Sequence, residues 1–165
     1  MANRDKYETE TSASLSQYVF FSIGPRGEIE KRVQYTNISD YENTDNCAFG
    51  DWDEENQCII DDSVTNNGDM GKVIATVIGT MYDYTNTYPE RFIYFKGSSL
   101  TRTLMYGKII FDYYDELIED FYIFGITNVI TNGKEIDEIS TYSKREKDHY
   151  DAFMVKRRWT GTIYR

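Results

Sequence analysis

Residues 73–121 hold the arrangement that most narrows what this chain can fold into. Val73, Ile74, Val77, Ile78, Met81 and Tyr84 recur at spacings of three and four, which places them on one helical face. Pro89 ends that helix. Arg91-Phe92-Ile93-Tyr94-Phe95-Lys96 follows, apolar at consecutive positions, the pattern of a central strand covered on both faces. Gly97-Ser98-Ser99 then opens a second helix with the stripe Leu100, Leu104, Ile110, Tyr114, Leu117, Ile118 and Phe121. Two amphipathic helices flanking a buried strand require a sheet to pack on. Asn66-Asn67-Gly68-Asp69 offers capping side chains and an acid at the positive end of the first helix, with Lys72 one turn on. Gly79 inside that helix costs roughly 1 kcal/mol relative to Ala and predicts a close packing contact. Glu119 and Asp120 lie at the unfavourable end of the second helix's dipole and disfavour its extension.

Strand signals surround this centre. Tyr18 to Ile23 and Ile29 to Tyr35 read as a hairpin joined through Gly24-Pro25-Arg26-Gly27. Cys47-Ala48-Phe49 and Cys58-Ile59-Ile60 read as short strands, with the acidic Asp51-Trp52-Asp53-Glu54-Glu55 as a loop between them. Phe121 to Thr127, Ile136 to Ile139 and Ala152 to Val155 close the chain as strands. Asn132-Gly133 is a hairpin signal between the first two of these. The fold class expected is α+β: a mainly antiparallel sheet with two helices packed on one face, in the order hairpin and short strands, helix, strand, helix, strands. Residues 1–14 are polar and expected to fray, and residues 15–165 form one domain, as 165 residues suit.

Composition bounds the function classes. The formal charge is -10, with 40% hydrophobic and 16% aromatic residues, which is too much apolar material for a disordered acidic chain. No Lys or Arg lies between Arg32 and Lys72, while ten acids fall there, Asp61 and Asp62 among them. Such a stretch repels duplex nucleic acid, whose binding depends on cations displacing counterions. From Lys144 onward the chain turns basic, ending at Arg165, which suits an intramolecular pairing, a dimer contact, a small anion or simply a solvated surface of mixed charge. Apolar runs fall far short of the roughly 20 residues that span a bilayer. Without a secretory leader or a disulfide-type cysteine pattern, the expected location is the cytoplasm.

Several motifs together resemble a known family. Phe49-Gly50-Asp51 follows an apolar island. Asn66-Asn67-Gly68-Asp69 precedes Lys72, and Gly97-Ser98-Ser99 precedes Arg102-Thr103 and Tyr106. Tyr150, Ala152, Phe153 and Val155 form a closing segment. This pattern, spanning roughly residues 15 to 158, is similar to that of a Bacteroidota family of small proteins known as a domain of unknown function. The chain departs from it at Ser99, where Thr is usual, and at Leu104, where a second Arg is frequent. The resemblance implies a bacterial or bacteriophage origin and no particular activity.

The Gly97–Tyr106 junction is the candidate site. The first turn of a helix leaves amide N–H groups without partners, and its dipole favours an anion. Gly97 permits close backbone approach, and Ser98, Ser99 and Thr101 add hydroxyls. Arg102 can hold a phosphate or carboxylate through two parallel bonds, Thr103 lies beside it, and Tyr106 is placed to stack on a base. The competing reading makes Ser98 or Ser99 a plain cap and pairs Arg102 with an acid. Asn66, Asn67, Gly68, Asp69 and Lys72 form a secondary motif at the start of the first helix.

Other chemistry finds less support. Asp112 and Asp115, a helical turn apart, lack the strand-borne Asp-x-Asp of nucleotidyltransferases, and no Gly-Lys-Ser or Gly-Lys-Thr loop occurs. The acids around Asp51 lack EF-hand spacing. His149, the sole histidine, reads as a surface residue. Cys47 and Cys58 read as small buried hydrophobes. No catalytic residue, metal or cofactor is assigned. The reading leans away from an enzyme, toward a module that docks a protein partner in a toxin–antitoxin or phage-defence setting. An enzyme or sensor for a phosphorylated small molecule or nucleotide is the alternative. No membrane and no duplex nucleic acid is expected, and a homo-oligomer stays open.

Overall fold

A computed structural model describes residues 4–60 and 66–158, so Asp61, Asp62 and Arg165 lie outside the described residues. Nine strands form one sheet: β1 (Glu10–Thr11), β2 (Gln17–Gly24), β3 (Gly27–Asn37), β4 (Thr44–Asp53), β5 (Cys58–Ile60), β6 (Phe92–Phe95), β7 (Phe121–Thr131), β8 (Lys134–Thr141) and β9 (Ala152–Arg157). Their spatial order is β1-β2-β3-β4-β6-β9-β7-β8, with β5 against β4. Among the described strands only β4 and β6 pair in parallel. Helices α1 (Met70–Thr87) and α2 (Leu100–Asp120) make the crossovers β4-α1-β6 and β6-α2-β7, the second spanning the inserted β9. The architecture is the α+β one expected.

The pleat explains which face the helices cover. Tyr18, Phe20, Val33, Tyr35, Phe49, Ile93, Phe121, Ile123, Phe153 and Val155 alternate along their strands toward the helical stripes of α1 and α2, and all are buried. On the other face, Ile126, Ala152 and Met154 are buried among Tyr41, Phe92, Tyr94 and Phe124, which stay partly exposed. This corrects the expectation that β6 is covered on both faces, because among the described residues no helix lies on the second one.

Both hairpins follow their turn chemistry. Pro25 and Arg26 join β2 to β3, with Gly27 at φ +90°. Asn132 (φ 52°) and Gly133 (φ 72°) supply the two left-handed residues that a tight turn between β7 and β8 needs. Two boundaries differ from the sequence reading. Asp51 to Asp53 belong to β4, with Asp51 opposite Ile60 and Asp53 opposite Cys58, so the loop is only the turn that follows. α2 ends at Asp120, with the two acids at its end as expected. Arg158 offsets the dipole there by donating from Nε to the Ile118 carbonyl at 2.7 Å and from its amide to the Asp120 carbonyl at 2.7 Å. Phe121 leaves the helical stripe and begins β7.

Residues 4–7 meet the two helices, and β1 then joins the sheet. The Tyr7 amide donates to Thr76 Oγ1 at 2.9 Å, Arg4 pairs with Glu116 on α2, and Glu10 sits opposite Val19. Lys6 passes over α1 where Gly79 stands, its Cδ 3.4 Å from where a Cβ would be. That is an ordinary van der Waals distance, so the close packing contact expected at the helical glycine is not found.

Candidate functional site

At the β6–α2 junction Ser99 is the N-cap, its extended backbone (φ -137°, ψ 164°) aiming Oγ at the Arg102 amide at 3.2 Å. The Ser99 carbonyl accepts from the Thr103 amide at 3.0 Å, and the Gly97 amide donates to Thr103 Oγ1 at 3.2 Å. The helix start is thus folded back on its own loop. Gly97 is buried, and a Cβ there would lie 2.4 Å from the Thr103 nitrogen. Its missing side chain serves loop-to-helix packing.

The expected site residues point two ways. Ser98, Ser99 and Thr101 are exposed, whereas Gly97, Arg102, Thr103 and Tyr106 are buried. Arg102 is 6% exposed. One terminal nitrogen donates to the Phe49 carbonyl at 3.1 Å, and the other lies 3.7 Å from Met105 Sδ. The guanidinium carbon sits 5.0 Å from the centre of the Phe49 ring and 5.8 Å from that of Tyr106. Among the described residues, Arg102 Nε is buried without a hydrogen-bond partner. The structure therefore gathers the guanidinium and two rings in the interior and leaves the hydroxyls outside.

The second motif ties a hairpin to a helix. Asn67, 1% exposed, accepts from the Arg26 amide at 2.8 Å and donates to Ser22 Oγ at 3.0 Å and to the Gly27 carbonyl at 3.1 Å. Gly68 takes φ +76° to turn the chain. Asp69 holds the N-cap position of α1 without capping through its side chain, which corrects the capping role expected of it. Its carboxylate instead accepts from Ser22 Oγ and Tyr7 Oη, each at 2.6 Å. Burial alone would raise the Asp69 pKa, but these two bonds outweigh it and hold the carboxyl below its ordinary range. Lys72 lies 4.4 Å over the Tyr7 ring and 3.5 Å from Asp5, and Asn66 is exposed.

Two other features had no clear sequence signal. At the start of β4, Asp45 accepts from Tyr84 Oη and from both the Nε (2.8 Å) and a terminal nitrogen of Arg91. At the far edge of the sheet every residue of β8 is exposed, including Ile136 and Ile139. Nothing in a Lys-Glu-Ile-Asp-Glu-Ile stretch tells an edge strand from an interior one, because that depends on which strand the chain places beside it. Cys58 is exposed, against the expectation of burial, while Cys47 is half-buried, with its thiol pushed up to about 12 by burial.

A family model described as DUF6934, a family of unknown function, matches residues 3–158. The chain belongs to that family. No curated protein and no solved structure matches it. In this DUF6934 chain, residues far apart in sequence meet at the junction just described: the Phe49 carbonyl binds Arg102, and Asp51 two positions on pairs with the buried Lys31. Among the described residues, no helix is long and apolar enough to cross a membrane.

Proposed function

We propose that this DUF6934 protein is a docking module that receives a basic, extended segment of a protein partner along the free edge of β8. The exposed edge strand carries the reading. Among the described residues β8 ends the sheet, so its outer amides and carbonyls offer a template for one more strand. Glu135, Asp137 and Glu138 against Lys134 give it an acidic character that matches a Lys- or Arg-rich segment and agrees with the chain's overall charge. Ile136 shares one face with Val129 and Ile139 shares the other with Ile126, so apolar contacts are available above and below the strand. Self-pairing is disfavoured, since a two-fold antiparallel β8–β8 contact about its centre sets Asp137 opposite Asp137 or Glu138 opposite Glu138. The motifs support the further inference that the family is the Bacteroidota one they resemble.

The test is titration with an alternating Lys-Val octapeptide followed by amide NMR. Shifts concentrated at 134–141 are expected, and the double variant Asp137→Lys/Glu138→Lys should weaken binding roughly tenfold, two close charge pairs at ~0.7 kcal/mol each. Shifts elsewhere, an unchanged affinity in the variant, or self-association of the free chain through β8 would each overturn the reading.

A second reading takes a small anion beside α2, favoured by the buried, unpartnered Nε of Arg102. It predicts that inorganic phosphate or a nucleotide raises the melting temperature and that Arg102→Ala abolishes this response with the fold intact. No stabilisation of the native protein by either anion would count against it.

A further inference from the structure

The face of the sheet turned away from α1 and α2 carries an aromatic hollow. Tyr41, in the connection between β3 and β4, reaches across that face. Its ring centre is 5.8 Å from that of Tyr94 on β6, and its hydroxyl donates to Asp137 on β8. The end of the connection is fixed by backbone bonds. Asn43 takes φ 52°, its carbonyl accepts from the Phe92 amide at 2.9 Å, and Thr44 Oγ1 donates to the Glu42 carbonyl at 2.9 Å. The hollow beside Tyr41 has a volume of about 340 Å³. Thr44 and Met154, both buried, close its floor, and Tyr41, Phe92 and Phe124 give it aromatic walls, while exposed Glu42 and Ile139 stand at its rim. The Phe92 and Phe124 ring centres lie 6.3 Å apart with planes inclined by 51°, so neither ring covers the face of the other. The surrounding charge is negative. Among the described residues the Glu42 carboxylate has no hydrogen-bond or ion-pair partner. Burial, and then the charges of Asp137, Asp40 and Asp151, push the Tyr94 phenol above its ordinary range. Lys156 lies 4.5 Å from the Phe92 ring centre but is tied to the Glu90 carbonyl at 2.9 Å, outside the lining of the hollow.

We propose that this hollow binds a small quaternary ammonium compound, a choline-type cation, with its methylated head among the three rings and its charge answered by Glu42. The lining chooses the occupant. The face of an aromatic ring is electron-rich and attracts a cation, and Lys156 over Phe92 shows that attraction within this protein. A hard inorganic ion needs several oxygen ligands at close range, whereas most of this wall is hydrocarbon and ring. A quaternary ammonium carries its charge behind methyl groups, so it meets such a wall without an unpaired donor. An anion would face Glu42 and the acids around Tyr94, and a neutral guest would gain nothing from them. The volume falls in the range of small-molecule sites, roughly 300–1,000 Å³, so it suits a whole small solute. The hollow shares Ile139 with β8 but needs no added strand there, so this proposal and the docking reading fail separately.

Choline chloride, titrated into the full chain at constant ionic strength and followed by NMR, is the probe. Saturable shifts are expected at the methyl groups of Met154 and Ile139, with nuclear Overhauser contacts from the choline trimethyl protons to the rings of Phe92 and Phe124. The neutral alcohol in which a tert-butyl group replaces the trimethylammonium has the same shape and should bind about tenfold more weakly. Glu42→Gln, at an exposed position, should lower choline affinity severalfold while the melting temperature holds. Phe124→Leu should remove the saturable shifts, and the Overhauser contacts test the same geometry in the unaltered protein should that variant fold poorly. No saturable shift at Met154 and Ile139, contacts elsewhere on the protein, equal affinity for the neutral alcohol, or wild-type affinity in Glu42→Gln would each overturn the proposal.

Discussion

Replacing Asp45 by Asn should be among the most damaging isosteric changes in this protein. The carboxylate is 3% exposed and sits where β4 begins, beside its parallel neighbour β6. It receives two bonds from Arg91 and one from Tyr84, whose ring stacks on Tyr35 at 4.2 Å with planes 7° apart. Burial alone would raise the Asp45 pKa, but the hydrogen bonds from Arg91 and Tyr84 and the Arg91 charge outweigh it, so the folded value lies below the ordinary one. The amide keeps the shape and can still accept from Tyr84, yet it leaves the guanidinium without its counter-charge. Breaking a buried pair in this way costs about 3–5 kcal/mol. The Arg91 side chain is 19% exposed, so water recovers part of the loss and the lower end, about 3 kcal/mol, applies. For a domain of this length that is a drop of roughly 6–12 °C in Tm. A group with a depressed folded pKa stabilises above its unfolded value, near 3.9, and loses that contribution as pH falls through the folded value. The gap between wild type and Asp45→Asn, measured by thermal melts, should therefore be full at pH 7 and shrink below about pH 3.9. A variant melting within ~2 °C of wild type at pH 7, or a gap that does not narrow on acidification, would refute the reasoning.

Three further outcomes follow from the geometry. Asn67→Ala removes the partners of the Arg26 amide and the Gly27 carbonyl and should cost about 2–3 kcal/mol in urea unfolding, with an unchanged m value. Gly125→Ala would set a Cβ 2.0 Å from the Tyr150 ring, whose hydroxyl accepts from the Ser143 amide and resists moving, so a loss of about 3 kcal/mol or more is expected by the same measurement. Arg102→Met keeps a long side chain against Phe49 and Tyr106 while removing a charge that, among the described residues, has no carboxylate partner. Its melting temperature in phosphate-free buffer should equal or exceed that of wild type, and a drop of several degrees would show that the guanidinium is stabilising as it stands.

The parts of the fold legible in sequence are those set by local rules. The stripe from Val73 to Tyr84 is α1 because its period matches a helix. Asn132-Gly133 is a hairpin because both positions need φ above zero. The errors fall where a neighbour decides. Asp51 to Asp53 look like loop in isolation, yet Lys31 opposite Asp51 and the pairing with β5 hold them in a strand. Glu119 and Asp120 do end α2, as their place at the unfavourable end of the dipole predicts, and Arg158, far along the chain, returns to that end with its side chain and its amide. A cap motif was read at Asn66 to Asp69 because Asn and Asp cap helices, but here both side chains turn to the β2–β3 hairpin, which helical periodicity cannot report.

The candidate site was legible in the same partial way. A Gly-Ser-Ser step before Arg102 does mark a helix start with a hydroxyl cap, and Ser99 does cap it. What sequence could not supply is the direction of the arginine. At position three of the helix Arg102 can reach outward over the tip or inward under β4, and the choice rests on Phe49 and Tyr106, which present ring faces and a carbonyl on the inner side. A buried guanidinium that bonds a carbonyl and two rings is nearly complete as a structural element, and only its Nε stays open. The edge strand is the reverse case. β8 carries two isoleucines and three acids, all exposed, and spends only one of its two hydrogen-bonding edges on the protein itself. Among the described residues the incomplete surface is therefore the sheet margin at β8 and not the start of α2.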